Sequence, residues 1–116
     1  MSWWIYLNDN DGTTLEVPEF VHGGTYVMDG SSEARLNITY NYSEFYYQHL
    51  DAQHGLHWLS GKTGQETVDR LRLAVNALGT ERDDDYWKST PGNAGAALAR
   101  LLQWAELYPD GIWELH

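Results

Sequence analysis

The segment from Gly79 to Ala105 constrains this chain more than any other, because it joins a charged, aromatic loop to a helix that residue types alone define. Thr90 can cap that helix. Pro91 suits its first position, where a missing N–H costs no intrahelical bond. Ala94, Ala97, Leu98, Leu101, Leu102 and Ala105 then fall on one face, so the helix packs on a sheet or on another helix. A partner precedes it. Thr63 and Glu66 have the T-x-x-E spacing of a capping box, Val68, Leu71, Val75 and Leu78 follow at helical spacing, and Gly79 ends the run. Asp69, Arg70, Arg72 and Asn76 are left for the wet face, with Glu66 and Arg70 a favourable i,i+4 pair. Gly92, Gly95 and the alanines at 94, 96 and 97 allow a backbone or a ligand to approach closely. The favoured expectation is a tight crossing of elements, with an anion held at the helix start as its rival.

The first third reads as strands. Trp3, Ile5 and Leu7 alternate with Trp4 and Tyr6, Asn8 to Gly12 is a turn, and Thr13 to Val17 returns, so residues 3 to 17 read as a hairpin. Pro18 is expected to break the second strand. Gly23-Gly24 gives a joint with His22 beside it, Thr25 to Met28 is a short β-rich run, and Asp29 to Ser32 turns the chain again. Leu36, Ile38 and Tyr40 oppose Arg35, Asn37 and Thr39, as a sheet with one buried face requires. Asn41 or Ser43 then caps a short aromatic helix carrying Phe45, Tyr46, His49 and Leu50. At the other end, Pro109-Asp110-Gly111 turns into Ile112 to Leu115, a terminal strand. The whole of 1–116 is expected to form a single α+β domain: an antiparallel sheet, made of the N-terminal meander plus the C-terminal strand, packed against two main helices and one short one.

Several motifs fail on spacing. An EF-hand loop with its glycine at Gly12 would need an acidic ligand at Leu7 and a glutamate at Pro18. A phosphate loop ending Gly61-Lys62-Thr63 would need glycine at position 56, which is Leu56. His49, His54 and His57 supply three imidazoles, but Gly55 interrupts any regular face, and whether they converge on a metal is left open. The chain has no cysteine, which excludes disulfides, thiolate metal sites and cysteine nucleophiles. Seventeen acidic residues against seven basic ones give a net charge of −10. That field repels nucleic-acid phosphates and anionic membranes, so direct nucleic-acid binding and membrane association are not expected. The N-terminus lacks a basic n-region and a long apolar run, so a cytoplasmic location is expected.

Residues 80 to 90 hold the candidate site. Arg82 and Lys88 flank Asp83-Asp84-Asp85 and the Tyr86-Trp87 pair, and three adjacent carboxylates need solvent, a cation or basic partners to stay ionised. The binding candidates are Asn41, Ser43, Arg82, Asp84, Asp85, Tyr86, Trp87, Thr90 and Asn93, with the loop facing the Asn41 to Ser43 corner. No catalytic residue, metal site or cofactor is assigned.

The runs Leu36-Asn-Ile-Thr-Tyr-Asn-Tyr-Ser43, Gly61-Lys-Thr-Gly-Gln-Glu66, Asp85-Tyr-Trp-Lys-Ser-Thr-Pro-Gly-Asn-Ala94 and Tyr108-Pro-Asp-Gly-Ile-Trp113 resemble a family of small uncharacterised proteins encoded by bacteriophages and prophages. The resemblance covers roughly residues 34 to 116. It implies no activity, cofactor or catalytic residue, only a context: an accessory protein in the host bacterial cytoplasm that binds or blocks a host component. The leading expectation is therefore a non-enzymatic binder of a host protein or small-molecule ligand. A small enzyme or nucleotide- and anion-binding module using residues 82–93 is the alternative, an acidic nucleic-acid mimic is a third reading, and homo-oligomerisation is left open.

Overall fold

Local signals place both long helices where residue types put them. The structure, a computed structural model, describes residues 1–21 and 31–116. The expected joint at Gly23-Gly24, the Thr25 to Met28 run, His22 and the first half of the Asp29 to Ser32 turn lie outside the described residues. Helix α2, as it falls in chain order, spans Gly64–Leu78 and α3 spans Pro91–Leu107. The capping box of α2 is complete: Thr63 Oγ1 accepts the Glu66 N–H at 3.2 Å, and Glu66 Oε1 accepts the Thr63 N–H at 3.0 Å. That bonding holds the Glu66 carboxyl below its ordinary pKa. Thr90 Oγ1 accepts the Asn93 N–H at 3.1 Å, with Pro91 in the first turn of α3.

The fold is α+β. Strand β1, Ser2–Asn8, is the middle of a three-stranded antiparallel sheet, with β4, Arg35–Thr39, on one side and β5, Ile112–Leu115, on the other. The C-terminal strand thus returns to the sheet as its sequence suggests. Strands β2, Glu16–Phe20, and β3, Ser31–Glu33, form a separate pair. The hairpin read over residues 3 to 17 therefore survives only at its turn. Asp9 accepts the Asp11 and Thr13 amides, and the Leu15 N–H donates to the Leu7 carbonyl before the chain leaves to meet β3. The two edges of β1 bond β4 and β5 instead, so little of it remains for its sequence neighbour. Pro18 does not break β2. It lies inside the strand, where pairing is irregular between Glu16 and Phe20.

The inner face of the sheet buries Trp3, Ile5, Leu7, Leu36, Ile38 and Trp113 against the helices. Asn37 and Thr39, expected on a wet face, are 1% exposed as well, so β4 is covered on both sides. Trp113 Nε1 donates to Thr67 Oγ1 at 2.9 Å and so ties the sheet to α2 through a satisfied buried polar pair. The short helix, α1, is Ser43–His49, entered through a 3-10 turn at Tyr40–Tyr42. Neither Asn41 nor Ser43 caps it. Thr39 Oγ1 accepts the Asn41 N–H and caps the 3-10 turn, because the chain begins to coil earlier than the apolar pattern suggests. Among the described residues no helix is long and apolar enough to cross a membrane.

Helices α2 and α3 run as a close pair, and the crossing read from Gly92 and Gly95 is real. A Cβ at Gly95 would lie 1.7 Å from the Gly79 carbonyl oxygen, and one at Gly92 would lie 1.8 Å from that of Glu81. Glycine to alanine inside a helix normally stabilises by about 1 kcal/mol. Here the sign reverses: Gly95→Ala is expected to destabilise by about 3 kcal/mol or more, since the contact is with backbone and cannot rotate away. Urea unfolding would measure this, and a neutral or stabilised variant would contradict the crossing.

Candidate functional site

The loop between α2 and α3 is built on Asn93. This side chain is 4% exposed and fully engaged: Oδ1 accepts the Asp83 N–H at 2.9 Å, while Nδ2 donates to the Asp85 and Lys88 carbonyls at 3.1 and 2.9 Å. One amide thus fixes three points of a loop that has no regular structure of its own. Within the loop, Asp83 Oδ1 accepts the Asp85 N–H and Asp85 Oδ1 accepts the Trp87 N–H, each turning the chain back on itself.

A second set of contacts docks the loop on the start of α1. Asn41 Nδ2 donates to the Trp87 carbonyl at 2.9 Å, and the Tyr42 hydroxyl donates to the Tyr86 carbonyl. One turn on, the buried Tyr46 hydroxyl donates to the Ala94 carbonyl at 3.2 Å, and burial pushes its pKa well above the ordinary phenol value. The aromatic run of 40–47 accordingly divides. Tyr42 and Tyr46 are anchors in the core, whereas Tyr40 and Tyr47 are exposed, with the Tyr40 ring 4.6 Å from that of Trp3.

The sequence candidates separate by role in this geometry. Asn93 and Thr90 organise the backbone through their side-chain bonds, and Thr90 also borders a depression with Arg82 and Asp83. Asn41 joins the loop to α1, and Ser43 Oγ donates to the Tyr40 carbonyl within its own turn, away from the loop. Asp84, Asp85, Trp87 and Lys88 are exposed, with Trp87 at 42%. Arg82, Asp83, Asp84, Tyr86 and Arg100 line a shallow depression of about 420 Å³, so Asp84 and Tyr86 share one cavity and Asn93 stays out of it. The acidic run is not a uniform row of charge, because Asp83 Oδ2 lies 3.7 Å from Lys88 Nζ. At the start of α3 the Thr90 side chain takes one amide and the Glu81 carbonyl lies against Gly92, while Thr90, Pro91 and Gly92 border a depression of about 430 Å³ with Arg82 and Asp83.

Arg100 was missed by sequence reasoning, because an arginine in the middle of an amphipathic helix reads as solvated. Its apolar surroundings, including the Phe20 ring at 5.3 Å, come from a distant strand. Tyr42 and Tyr46 were noticed as an aromatic cluster, but nothing local tells which rings face inward. Among the described residues no group of three His, Asp or Glu side chains is placed to hold a metal ion. His57 instead sets its ring edge-on to Trp3 at 6.4 Å. Comparison of the chain with protein-family models, with curated proteins and with solved structures returns no match.

Removing the Asn93 side chain orphans the Asp83 amide and two carbonyls together. Asn93→Ala is expected to cost about 2 to 4 kcal/mol and to raise amide hydrogen exchange through residues 82–90 well above that of α2. Unchanged exchange across the loop would show that other contacts hold it.

Proposed function

We propose that this chain is a non-enzymatic binding protein that recognises a protein partner through the 82–90 loop. The observation that carries the reading is a division of labour. Asn93, Asn41 and Tyr42 fix the loop backbone, while Asp84, Asp85 and Trp87 stay exposed, and Tyr40, next to Asn41 in sequence, is 40% exposed. A loop held in one conformation loses little entropy on binding. Tryptophan and tyrosine supply large, rigid contact area, and such rings dominate the energy of many interfaces.

The acidic side chains beside these rings, on a chain of net charge −10, suit a partner with a basic face and speed its approach at low salt. The resemblance to phage and prophage proteins adds a context: an accessory protein made in the host bacterial cell and directed at a host protein.

The test is a pull-down from bacterial lysate with the wild-type chain, Trp87→Ala and Asp84→Asn. The wild type is expected to enrich one host protein strongly. Trp87→Ala should lower affinity for it by at least about tenfold, and Asp84→Asn should mainly slow association and flatten its salt dependence. Matched thermal unfolding shows that the variants are folded. Capture of the same protein by folded Trp87→Ala with unchanged affinity would sink the assignment, as would the absence of any specific capture.

A further inference from the structure

The basic side chains of this acidic protein are not all used alike. Arg35, Arg70, Arg72 and Lys88 stand 3.4 to 3.7 Å from carboxylates, and Lys62 lies 4.8 Å over the Trp58 ring. Arg82 differs. Among the described residues it has no carboxylate within 4.0 Å, and its guanidinium lies 5.9 Å from the Tyr86 ring. It stands beside a second guanidinium, that of Arg100. Among the described residues, the two line a depression of about 390 Å³ together with Thr80, Ala96, Ala99 and Gln103, and no carboxylate is among them.

The polar lining is one of donors. Arg100 Nη1 donates to Gln103 Oε1 at 2.8 Å, which uses the acceptor of that amide and leaves its N–H groups to serve as donors. The Phe20 ring at 5.3 Å supports the Arg100 guanidinium from the sheet side. Burial first, and then the positive charge of Arg82, lower the Arg100 pKa below its usual value. The two guanidinium groups are thus close enough to feel each other's charge, and both can donate toward an anion in the depression.

We propose that the depression between Arg82 and Arg100 binds a phosphate group. Guanidinium forks pair with tetrahedral oxyanions through parallel N–H···O bonds, and a dianion matches two cations better than a carboxylate does. The group belongs to a small molecule or to free phosphate. A nucleic-acid strand would meet both the overall negative field and Asp83 and Asp84, which line the adjoining depression with the same two arginines. The first turn of α3 does not line the phosphate site: Arg82 borders a separate depression with Thr90, Pro91 and Gly92. The phosphate site also does not depend on the partner-binding face at Trp87.

Inorganic phosphate, adenosine monophosphate and acetate, titrated by calorimetry and thermal unfolding at matched low ionic strength, test the proposal. Phosphate is expected to bind and raise the unfolding midpoint, with acetate ineffective. Tighter binding of the monophosphate supports an organic phosphate as the natural occupant, and equal binding supports free phosphate. Arg82→Gln should weaken phosphate by at least about tenfold. Because shortening Arg100 uncovers Phe20, Arg100→Lys serves as the second variant and should weaken binding while keeping the fold. Trp87→Ala should leave phosphate affinity unchanged, which separates this site from the loop face. No phosphate-dependent shift, an equal response to acetate, or unaltered affinity in folded Arg82→Gln would overturn the assignment.

Discussion

Glycines let α2 and α3 lie backbone to backbone at both ends of their contact, and the rest of the molecule is arranged around that closeness. At one end Gly92 and Gly95 accept the carbonyls of Glu81 and Gly79 where any side chain would collide. At the other, a Cβ on Gly64 would lie 2.5 Å from the Tyr108 carbonyl oxygen and 2.9 Å from that of Ala105. Between these close ends Leu71, Ala74 and Leu78 of α2 are buried, with Leu78 packed beside Gly95, and the apolar face of α3 also meets the sheet. Leu98, Leu101 and Trp104 are fully buried as a result. The same closeness brings the end of α2 beside the start of α3, and the segment between them must loop outward and return.

That loop has no hydrophobic core of its own, so polar bonds must fix it. Backbone groups without ladder partners are costly when removed from water, and a single asparagine with two donors and an acceptor can satisfy three of them at once. Asn93 sits where α3 begins, so the glycine crossing positions the residue that shapes the loop. Tyr42 and Asn41 then lock the outer side of the loop to the turn that follows β4. A rigid, exposed surface thus emerges from three local chemistries: a backbone crossing, an amide pin and an aromatic anchor. Each is supplied by a different part of the chain.

How much of this the sequence discloses follows the range of each interaction. Thr63 with Glu66, and Thr90 with Pro91, signal helix starts through contacts three residues apart, and both are legible. The crossing is legible as the favoured reading, although the same small residues at a helix start also suit an anion. Strand partnership is not. Nothing in residues 3 to 17 states that β1 will bond β4 and β5 and leave β2 to β3, since pairing is decided by which strands the helices can cover. Thr39 rather than Asn41 caps the turn, because coiling begins at Tyr40, and the Asn41 side chain instead reaches the Trp87 carbonyl 46 residues away. Asn93 was legible as important and illegible in role. An asparagine beside a loop is equally suited to hold a ligand or the loop itself, and only the positions of three backbone groups decide between them.

The loop therefore presents two chemistries. The exposed Trp87 ring and carboxylates suit a basic protein surface. Arg82 beside Arg100 suits an anion, with Asp83 and Asp84 bordering the adjoining depression. Opposite charges so close along one segment would collapse onto each other if the loop were mobile, because Arg82 would find Asp84 or Asp85. The Asn93 bonds prevent this by fixing the backbone on both sides of Asp84, and Asp83 is held by Lys88. Rigidity here does more than lower the entropy lost on binding. It keeps a cation unpaired with the carboxylates next to it in sequence, and in a chain with so few basic residues that is the condition for an anion site to exist at all.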